Sequence, residues 1–122
     1  MCKSTIKYKS QNIYIELKKL GDDLLLAIWG GDSPHIGAVS IGIPRASLDD
    51  SSRLSSTISS YSFIGHKDDI LGNKCADLFA KSLDKNIVVT TGIHYDKISR
   101  EDIKYIVDEI MNRCQEIINN LD

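Results

Sequence analysis

The sequence lacks the short motifs on which several classes of enzyme and metal protein depend. Its three cysteines, Cys2, Cys75 and Cys114, lie far apart and form no CxxC pair, which excludes a zinc ribbon or a thioredoxin-like redox centre. There is no HExxH metal motif, and no serine lies in a Gly-x-Ser-x-Gly nucleophile elbow.

A large excess of charge and a long apolar run are also missing. Fifteen basic residues face 17 acidic ones, and the Lys and Arg residues are scattered without interleaved aromatics, so we expect no nucleic-acid partner. The N-terminus has no apolar stretch of the signal-peptide type, and the longest apolar run, residues 24–29, is too short to cross a bilayer. Cys75 and Cys114 fall on the apolar stripes of predicted helices, as reduced cysteines of a cytosolic protein do. We therefore expect a soluble, cytoplasmic protein with no membrane partner.

What the sequence does contain is a series of strand patterns followed by helix, strand and helix. Alternating or continuous apolar residues predict strands at residues 12–20, 24–29, 36–43, 57–64 and 87–93, with a short additional strand or an extension of the first around Tyr8. Because the strands are collected ahead of the helices, the pattern predicts a single α+β domain over residues 1–122. We expect a mainly antiparallel β-sheet with two α-helices packed on one face.

The two helices differ in how clearly the sequence marks their starts. Ser99 is the predicted N-cap of the second helix, with Asp102 at the reciprocal capping position and an Ile98–Ile103 hydrophobic staple. For the first helix, either Asp68 or Asp69 is expected to be the cap.

Residues 30–69 are poor in bulky side chains, which predicts the floor and rim of a binding site. On the strand at residues 36–43 we expect the bulky residues Val39, Ile41 and Ile43 to face the helices. Ala38, Ser40 and Gly42 would then leave the other face open to a ligand, a partner chain or water. The serine-rich loop at residues 46–56 is expected to be a mobile flap beside the site, and Trp29 and Tyr61 are candidates for stacking on a ligand.

All three histidines, His35, His66 and His94, lie near a glycine at a predicted strand end, each with an aspartate within three residues. If these ends share one edge of the sheet, the histidines and their aspartates converge. Such a cluster suits a divalent metal. His66, Lys67 and the amides at the start of the first helix would instead suit a phosphate, with Arg45 or Arg53 adding positive charge. Histidines that simply bond to the backbone of surface turns are the remaining alternative.

Four ordered segments carry a resemblance to a known family: residues 30–39 (GGDSPHIGAV), 44–48 (PRASL), 65–69 (GHKDD) and 92–96 (GIHYD). They resemble the hallmark segments of the LpdD-like family, the small D proteins found with UbiD-type non-oxidative aromatic-acid decarboxylases. The resemblance covers roughly residues 24–98. The chain has Ala46 where family members tend to have proline after the arginine.

The resemblance implies an accessory protein or chaperone that binds prenylated FMN, or delivers it to the UbiD-type catalytic subunit, and that is not itself an enzyme. It also implies a proteasome-assembly-chaperone-like fold and a homodimer. Two alternatives stay open: a small metal-dependent enzyme using His35, His66 and His94, and a ligand-free assembly subunit of the decarboxylase. Motifs and residue pattern together predict these cofactor-binding residues: Gly31, Asp32, His35, Gly37, Arg45, His66, Lys67, Asp69, His94 and Asp96.

Overall fold

A computed structural model describes residues 2–63 and 68–121. The elements, in chain order, are β1 (Lys3–Tyr8), β2 (Gln11–Leu20), β3 (Asp23–Gly31), β4 (Ala38–Ala46), β5 (Leu54–Ser62), α1 (Asp69–Leu83), β6 (Ile87–His94) and α2 (Arg100–Asn119). The strands form one six-stranded sheet in the order β1-β2-β3-β6-β4-β5. The β3–β6 pair is parallel, and the other four pairs in this part of the chain are antiparallel. The expected α+β class is confirmed.

Burial follows the alternation that the sequence predicts in β2, where Ile13, Ile15 and Leu17 are buried and their neighbours are more exposed. The apolar run in β3 occupies the middle of the sheet, between β2 and β6. The residues around Tyr8 form a separate edge strand, β1, which pairs with β2. Because successive side chains of a strand point to opposite faces of the sheet, the buried alternate residues all lie on one face, and that face carries the hydrophobic core.

Both helices cover the same face of the sheet. Helix α1 packs against β4, β5 and β6, and α2 packs against α1 and β1. Both run antiparallel to β6, because α1 leads into the start of this strand and α2 returns from its end. The N-termini of both helices therefore lie at the carboxyl end of β6, which is the end that carries the candidate site.

The small residues of β4 lie beneath α1, which corrects the predicted orientation of this strand. Ala38 and Ser40 are fully buried, whereas Ile41 and Ile43 are 42% and 49% exposed on the other face. A side chain at Gly42 would meet the backbone oxygen of Ala76 at 2.8 Å. Helix α1 thus approaches the sheet so closely that dense packing is achieved without bulk.

Where α1 contacts β4, both elements contribute small or polar side chains. In α1, Gly72 faces β4, and a Cβ there would lie 2.6 Å from Ser40 Oγ. Ser40 Oγ in turn donates a hydrogen bond to Asn73 Oδ1 at 2.8 Å, so the buried hydroxyl is satisfied. The prediction failed because it assumed that helices always cover the bulkier face of a strand.

The opposite face of the sheet, which we call the open face, is covered by no element in the described part of the chain. Tyr14 and Trp29 stack there, with ring centroids 5.5 Å apart, and Tyr61 of β5 is exposed. The side chains that share this face by strand alternation include Leu25, Trp29, Val39, Ile41, Ile43, Tyr61 and Val88. An exposed apolar surface of this kind marks an interaction site more often than a solvated face.

The helices meet each other through sulfur-containing side chains in the core. Cys75 Sγ lies 3.8 Å from Met111 Sδ, and Cys75 and Cys114 are fully buried. The pKa of Cys75 is raised well above its usual value, first by a hydrogen bond with Cys114 and second by burial of the thiol. The raised pKa keeps Cys75 as a thiol, whereas nucleophilic chemistry needs a thiolate. Cys75 is therefore a residue of the hydrophobic core.

The start of α2 has the predicted cap: Ser99 is the N-cap, and its side chain accepts a hydrogen bond from Asp102 N at 3.1 Å. Neither helix in the described part of the chain is long and apolar enough to cross a membrane.

The close approach of α1 to β4 predicts that Gly42→Val destabilises the protein by about 1–3 kcal/mol, because the new side chain must displace the backbone at Ala76. Ala46→Val, which places the same side chain at an exposed position of the same strand, should change stability by less than about 0.5 kcal/mol. Urea unfolding followed by circular dichroism measures both. Equal losses in the two variants would contradict the packing described here.

Candidate functional site

The candidate site lies at the carboxyl ends of the parallel pair, β3 and β6. The chain after β3 folds back along β6: Asp32 N donates to His94 O at 2.6 Å, and Gly37 N donates to Thr91 O at 2.7 Å. Asp32 Oδ2 also accepts a hydrogen bond from Asp96 N at 2.9 Å. The turn at residues 31–37 and the turn at residues 94–96 are therefore joined into one rim.

Gly92 allows the two turns to approach this closely. A Cβ at this position would collide with the backbone carbonyl of His35. Only glycine lets another segment of backbone pass so near. Two further glycines lie at the ends of the segment that passes over Gly92. Gly31 pairs with His94 in the sheet. Gly37 donates its N–H to Thr91 O, and its carbonyl accepts a hydrogen bond from Phe63 N.

His35 is held between the turn and the start of α1. Its Nδ1 lies 2.8 Å from Ser33 O, and since a carbonyl oxygen only accepts, Nδ1 carries the proton. Its Nε2 lies 3.3 Å from Asp68 Oδ2. The imidazole ring therefore lies between the backbone of its own turn and the carboxylate at the start of α1.

Asp68 is the site residue that the sequence analysis missed, because it was interpreted as a helix cap. It does occupy the N-cap position of α1, but its side chain makes no capping hydrogen bond. Its carboxylate instead accepts from Ile93 N at 3.4 Å and faces His35, while its carbonyl accepts from Thr91 Oγ1 at 2.8 Å. Asp68 thus ties α1 to β6 and to the 31–37 turn.

The turn after β6 alternates between exposed and buried side chains. His94 Nε2 lies 3.0 Å from Asp96 Oδ1 on the exposed side. Tyr95 points inward, and its hydroxyl donates to Gln11 O at 2.9 Å. Burial, and after it the negative charge of Asp32, raises the pKa of Tyr95. The rim is therefore anchored to the β1–β2 hairpin by a neutral phenol.

Arg45 does not lie with the other predicted residues. Since Ala38 pairs with Thr91 and Gly42 with Ile87, β4 carries Arg45 past the start of β6, roughly 23 Å along the strand from Ala38. Its guanidinium donates to Thr57 Oγ1 at 2.9 Å and to Ala46 O at 3.0 Å. The loop at residues 47–53 lies at the same distant end of the sheet, so the expected flap beside the site is wrong.

Three further predictions concern residues around the rim. Asp69 begins α1 directly after Asp68 and thus lies at the same end of the sheet. Trp29 and Tyr61 lie on the open face, away from the helices. His66 and Lys67 lie outside the described residues, so a phosphate seat built on them stays a prediction.

A groove of about 570 Å³ opens beside this rim, between the N-terminal halves of α1 and α2. We call it the helix groove. It is lined by Asp68, Ile70, Leu71, Lys74, Ile93, His94, Tyr95, Ile98, Ile103, Ile106 and Val107. This groove is not predicted from the sequence, although the staple pair Ile98 and Ile103 forms part of its wall. Ile70, which also lines it, is an apolar residue to which the sequence pattern assigns no role.

The metal-dependent alternative receives no geometric support from the residues that can be described. Across residues 2–63 and 68–121, no three His, Cys, Asp or Glu side chains are grouped so as to hold a metal ion. His66, the third histidine of that hypothesis, is outside these ranges, so the full set of three is untested.

The model of the prenylated flavin chaperone LpdD-like domain matches residues 7–122, which include every part of this site. The chain belongs to this family. It is also similar to Protein LpdD of Lactiplantibacillus plantarum, with 28% identity over 87 residues, covering 71% of this chain and 60% of that protein.

Among solved structures, the fold is similar to that of a chain in a chaperone complex for yeast 20S proteasome assembly. The TM-score is 0.51 at 8% identity, over 92% of this chain and 96% of that one. At this identity the match shows the fold alone, and it confirms the expected likeness to proteasome-assembly chaperones. Family membership supports a chaperone or accessory role for this LpdD-like chain.

The contacts of Asp68 predict that Asp68→Ala lowers stability by about 1–3 kcal/mol, because it removes the acceptor of Ile93 N–H and the carboxylate that faces His35. Asp69→Ala is the matched control, since the neighbouring carboxylate makes no hydrogen bond or ion pair with a described residue. Urea unfolding gives the stability, and amide hydrogen exchange at Ile93 reports the local effect. Unchanged exchange at Ile93 in Asp68→Ala would show that this carboxylate does not hold the strand end.

Proposed function

We propose that this LpdD-like protein binds prenylated FMN and delivers it to the catalytic subunit of a UbiD-type aromatic-acid decarboxylase, without itself catalysing decarboxylation. The observation that carries the proposal is the match of residues 7–122 to a family described as a prenylated flavin chaperone. The similarity to Protein LpdD supports it. Delivery, the decarboxylase partner and its hydroxyarylic acid substrate are the parts that experiments must test.

The residues at the carboxyl ends of β3 and β6 suit such a cargo. Prenylated FMN combines a flat, largely apolar ring system with a charged phosphate, so its site needs apolar walls and a polar rim. The helix groove supplies the first, and the rim of residues 31–37 and 94–96 supplies the second. A cavity of about 570 Å³ lies within the usual range for small-molecule sites, about 300–1,000 Å³.

In this proposal the cofactor-binding residues are Gly31, Asp32, His35, Gly37, Asp69, His94 and Asp96, together with His66 and Lys67. Arg45 is left out because it lies at the far end of the sheet. The role of these residues is to bind, orient and shield the cargo, whereas the bound flavin supplies its reactive ring only within the decarboxylase. An open groove suits a carrier, since the cargo must also leave.

The proposal predicts that adding the purified protein to prenylated FMN changes the absorbance and fluorescence of the flavin, with saturation at micromolar protein. Unmodified FMN is the control, and it should bind at least about tenfold more weakly because it lacks the apolar prenyl ring to bury. Absence of a spectral change at high micromolar protein would count against the proposal.

Delivery is tested separately with the apo form of a UbiD-type decarboxylase. The protein preloaded with prenylated FMN should activate the apo enzyme faster than the same concentration of free cofactor. Binding without faster activation would reduce the role to storage of the cofactor.

We also propose that two copies of the chain pair through the open face. Ile41, Ile43 and Tyr61 expose apolar surface there, and the stacked Tyr14–Trp29 pair extends it. Burying apolar surface is the main driving force of association, and a sheet face is self-complementary under a two-fold axis. The decarboxylase subunit is the competing occupant, as in the assembly-subunit alternative.

The dimer proposal predicts that Ile41→Glu converts a homodimer to a monomer, because the charge would have to be buried at the interface. Ile103→Glu is the matched control, with the same substitution at 47% exposure on the helix side, against 42% for Ile41. Light scattering of the wild type and both variants decides the matter. A monomeric wild type would disprove the homodimer and leave the open face for the decarboxylase.

A further inference from the structure

We propose that the helix groove holds the prenylated ring system of the flavin and that Lys74 binds its phosphate. This inference rests on the proposed function, and it adds which surface of the protein takes the cargo. The competing surfaces are the open face, on the other side of the sheet, and the loop at residues 47–53, at its far end.

The walls of the helix groove are mostly apolar side chains, and some of these side chains are exposed to solvent. Ile70 of α1 is 62% exposed and Ile103 of α2 is 47% exposed, and both line the cavity. Leu71, Ile106 and Tyr95 are buried and also line it. A flat apolar ring placed between the two helices would cover surface that is otherwise exposed to water, which favours binding.

The groove is not needed to close the hydrophobic core. The helices already meet further along at Cys75 and Met111, and Cys75, Ile110 and Cys114 are fully buried. The cavity lies toward the helix N-termini, on the side of the polar rim. The space between Ile70 and Ile103 is therefore additional to the packed interior and adjoins the predicted binding residues.

The charges around the groove suit a phosphate at Lys74. The Asp68 carboxylate, which also lines the cavity, already faces His35 and accepts from Ile93 N. Within the described residues no carboxylate lies within ion-pair distance of Lys74 Nζ. Lys74 is also the one lysine or arginine among the described residues that line the groove, so its ammonium group is available to a ligand.

The N-termini of both helices open toward the same end of the groove, and their dipoles add to the attraction for an anion. The carboxylate of Asp102 in the first turn of α2 opposes this, and contacts with Tyr8, Ser99 and Lys9, which lower the pKa of Asp102, keep it charged. Asp69 at the start of α1 also opposes it. The phosphate is therefore assigned to Lys74, one turn further along α1.

The first experiment compares prenylated FMN binding by Ile103→Glu and Leu54→Glu, with absorbance titration as the readout. Leu54 is 43% exposed, similar to Ile103, but lies at the far end of the sheet. We expect at least about tenfold weaker binding for Ile103→Glu, because a charge would face the apolar ring, and no change for Leu54→Glu. A glutamate in the first turns of a helix is favourable to the dipole, so Ile103→Glu should fold. Ile70→Glu is a second variant with the same expected loss.

The second experiment tests Lys74→Gln against two probes, prenylated FMN and the prenylated riboflavin made from it by a phosphatase. Lys74→Gln should weaken binding of prenylated FMN by about tenfold, since a hydrogen bond to a charged group is lost, and leave binding of prenylated riboflavin unchanged. Lys81→Gln, on the same helix and in an exposed ion pair with Asp77, is the control and should affect neither probe.

The outcomes separate this inference from the proposed function. If the wild type binds and both groove variants, Ile103→Glu and Ile70→Glu, bind equally well, the groove is not the site although the function stands. If Lys74→Gln weakens both probes equally, the assignment of the phosphate is overturned. If the folded wild type binds neither probe, both the proposed function and this inference fail.

Discussion

The close packing of α1 on β4 and β6 determines the positions of most other features of this protein. Gly42 and Gly72 let the helix backbone approach the sheet to within contact of Ala76 and Ser40. That approach places Asp68, at the start of the helix, against Ile93 and His35. The same carboxylate could not reach both partners if bulky side chains separated α1 from the sheet. Packing of small residues in the core is thus the physical basis of the polar rim.

Sequence reasoning identified the elements and the fold class because periodicity is a local property. Alternation in β2 and the cap at Ser99 each depend on residues within a few positions of one another. Alternation also showed that Ala38, Ser40 and Gly42 share a face. It could not show which face meets the helix, since that depends on α1, whose Gly72 and Ala76 make the complementary small surface. Bulk was the wrong criterion because both partners in this contact are small.

The site required knowledge of strand order, which a single sequence does not contain. The segments that carry His35 and His94 meet because β6 inserts between β3 and β4, with the turn after β3 folding back along it. The glycine–histidine–aspartate pattern correctly suggested two segments that come together, since each follows a strand. Arg45 seemed near in sequence, yet an antiparallel strand carried it to the far end of the sheet. Asp68 was missed because an aspartate before a helix normally caps it, and here its side chain turns toward the sheet instead.

In the function proposed above, a carrier must hold its cargo and also present it to a second protein, and two separate surfaces of this fold would serve these two tasks. Because successive side chains of a strand point to opposite faces, the helix side and the open face of this sheet share no side chains. In the proposal above, an apolar groove with one cation, Lys74, among its described lining residues would favour one orientation of an amphipathic ligand. An apolar open face, by contrast, offers broad and unspecific contact that suits association of proteins. The parallel pair β3–β6 passes through the middle of the sheet, so the strands whose carboxyl ends form the rim also contribute side chains, Trp29 and Val88, to the open face.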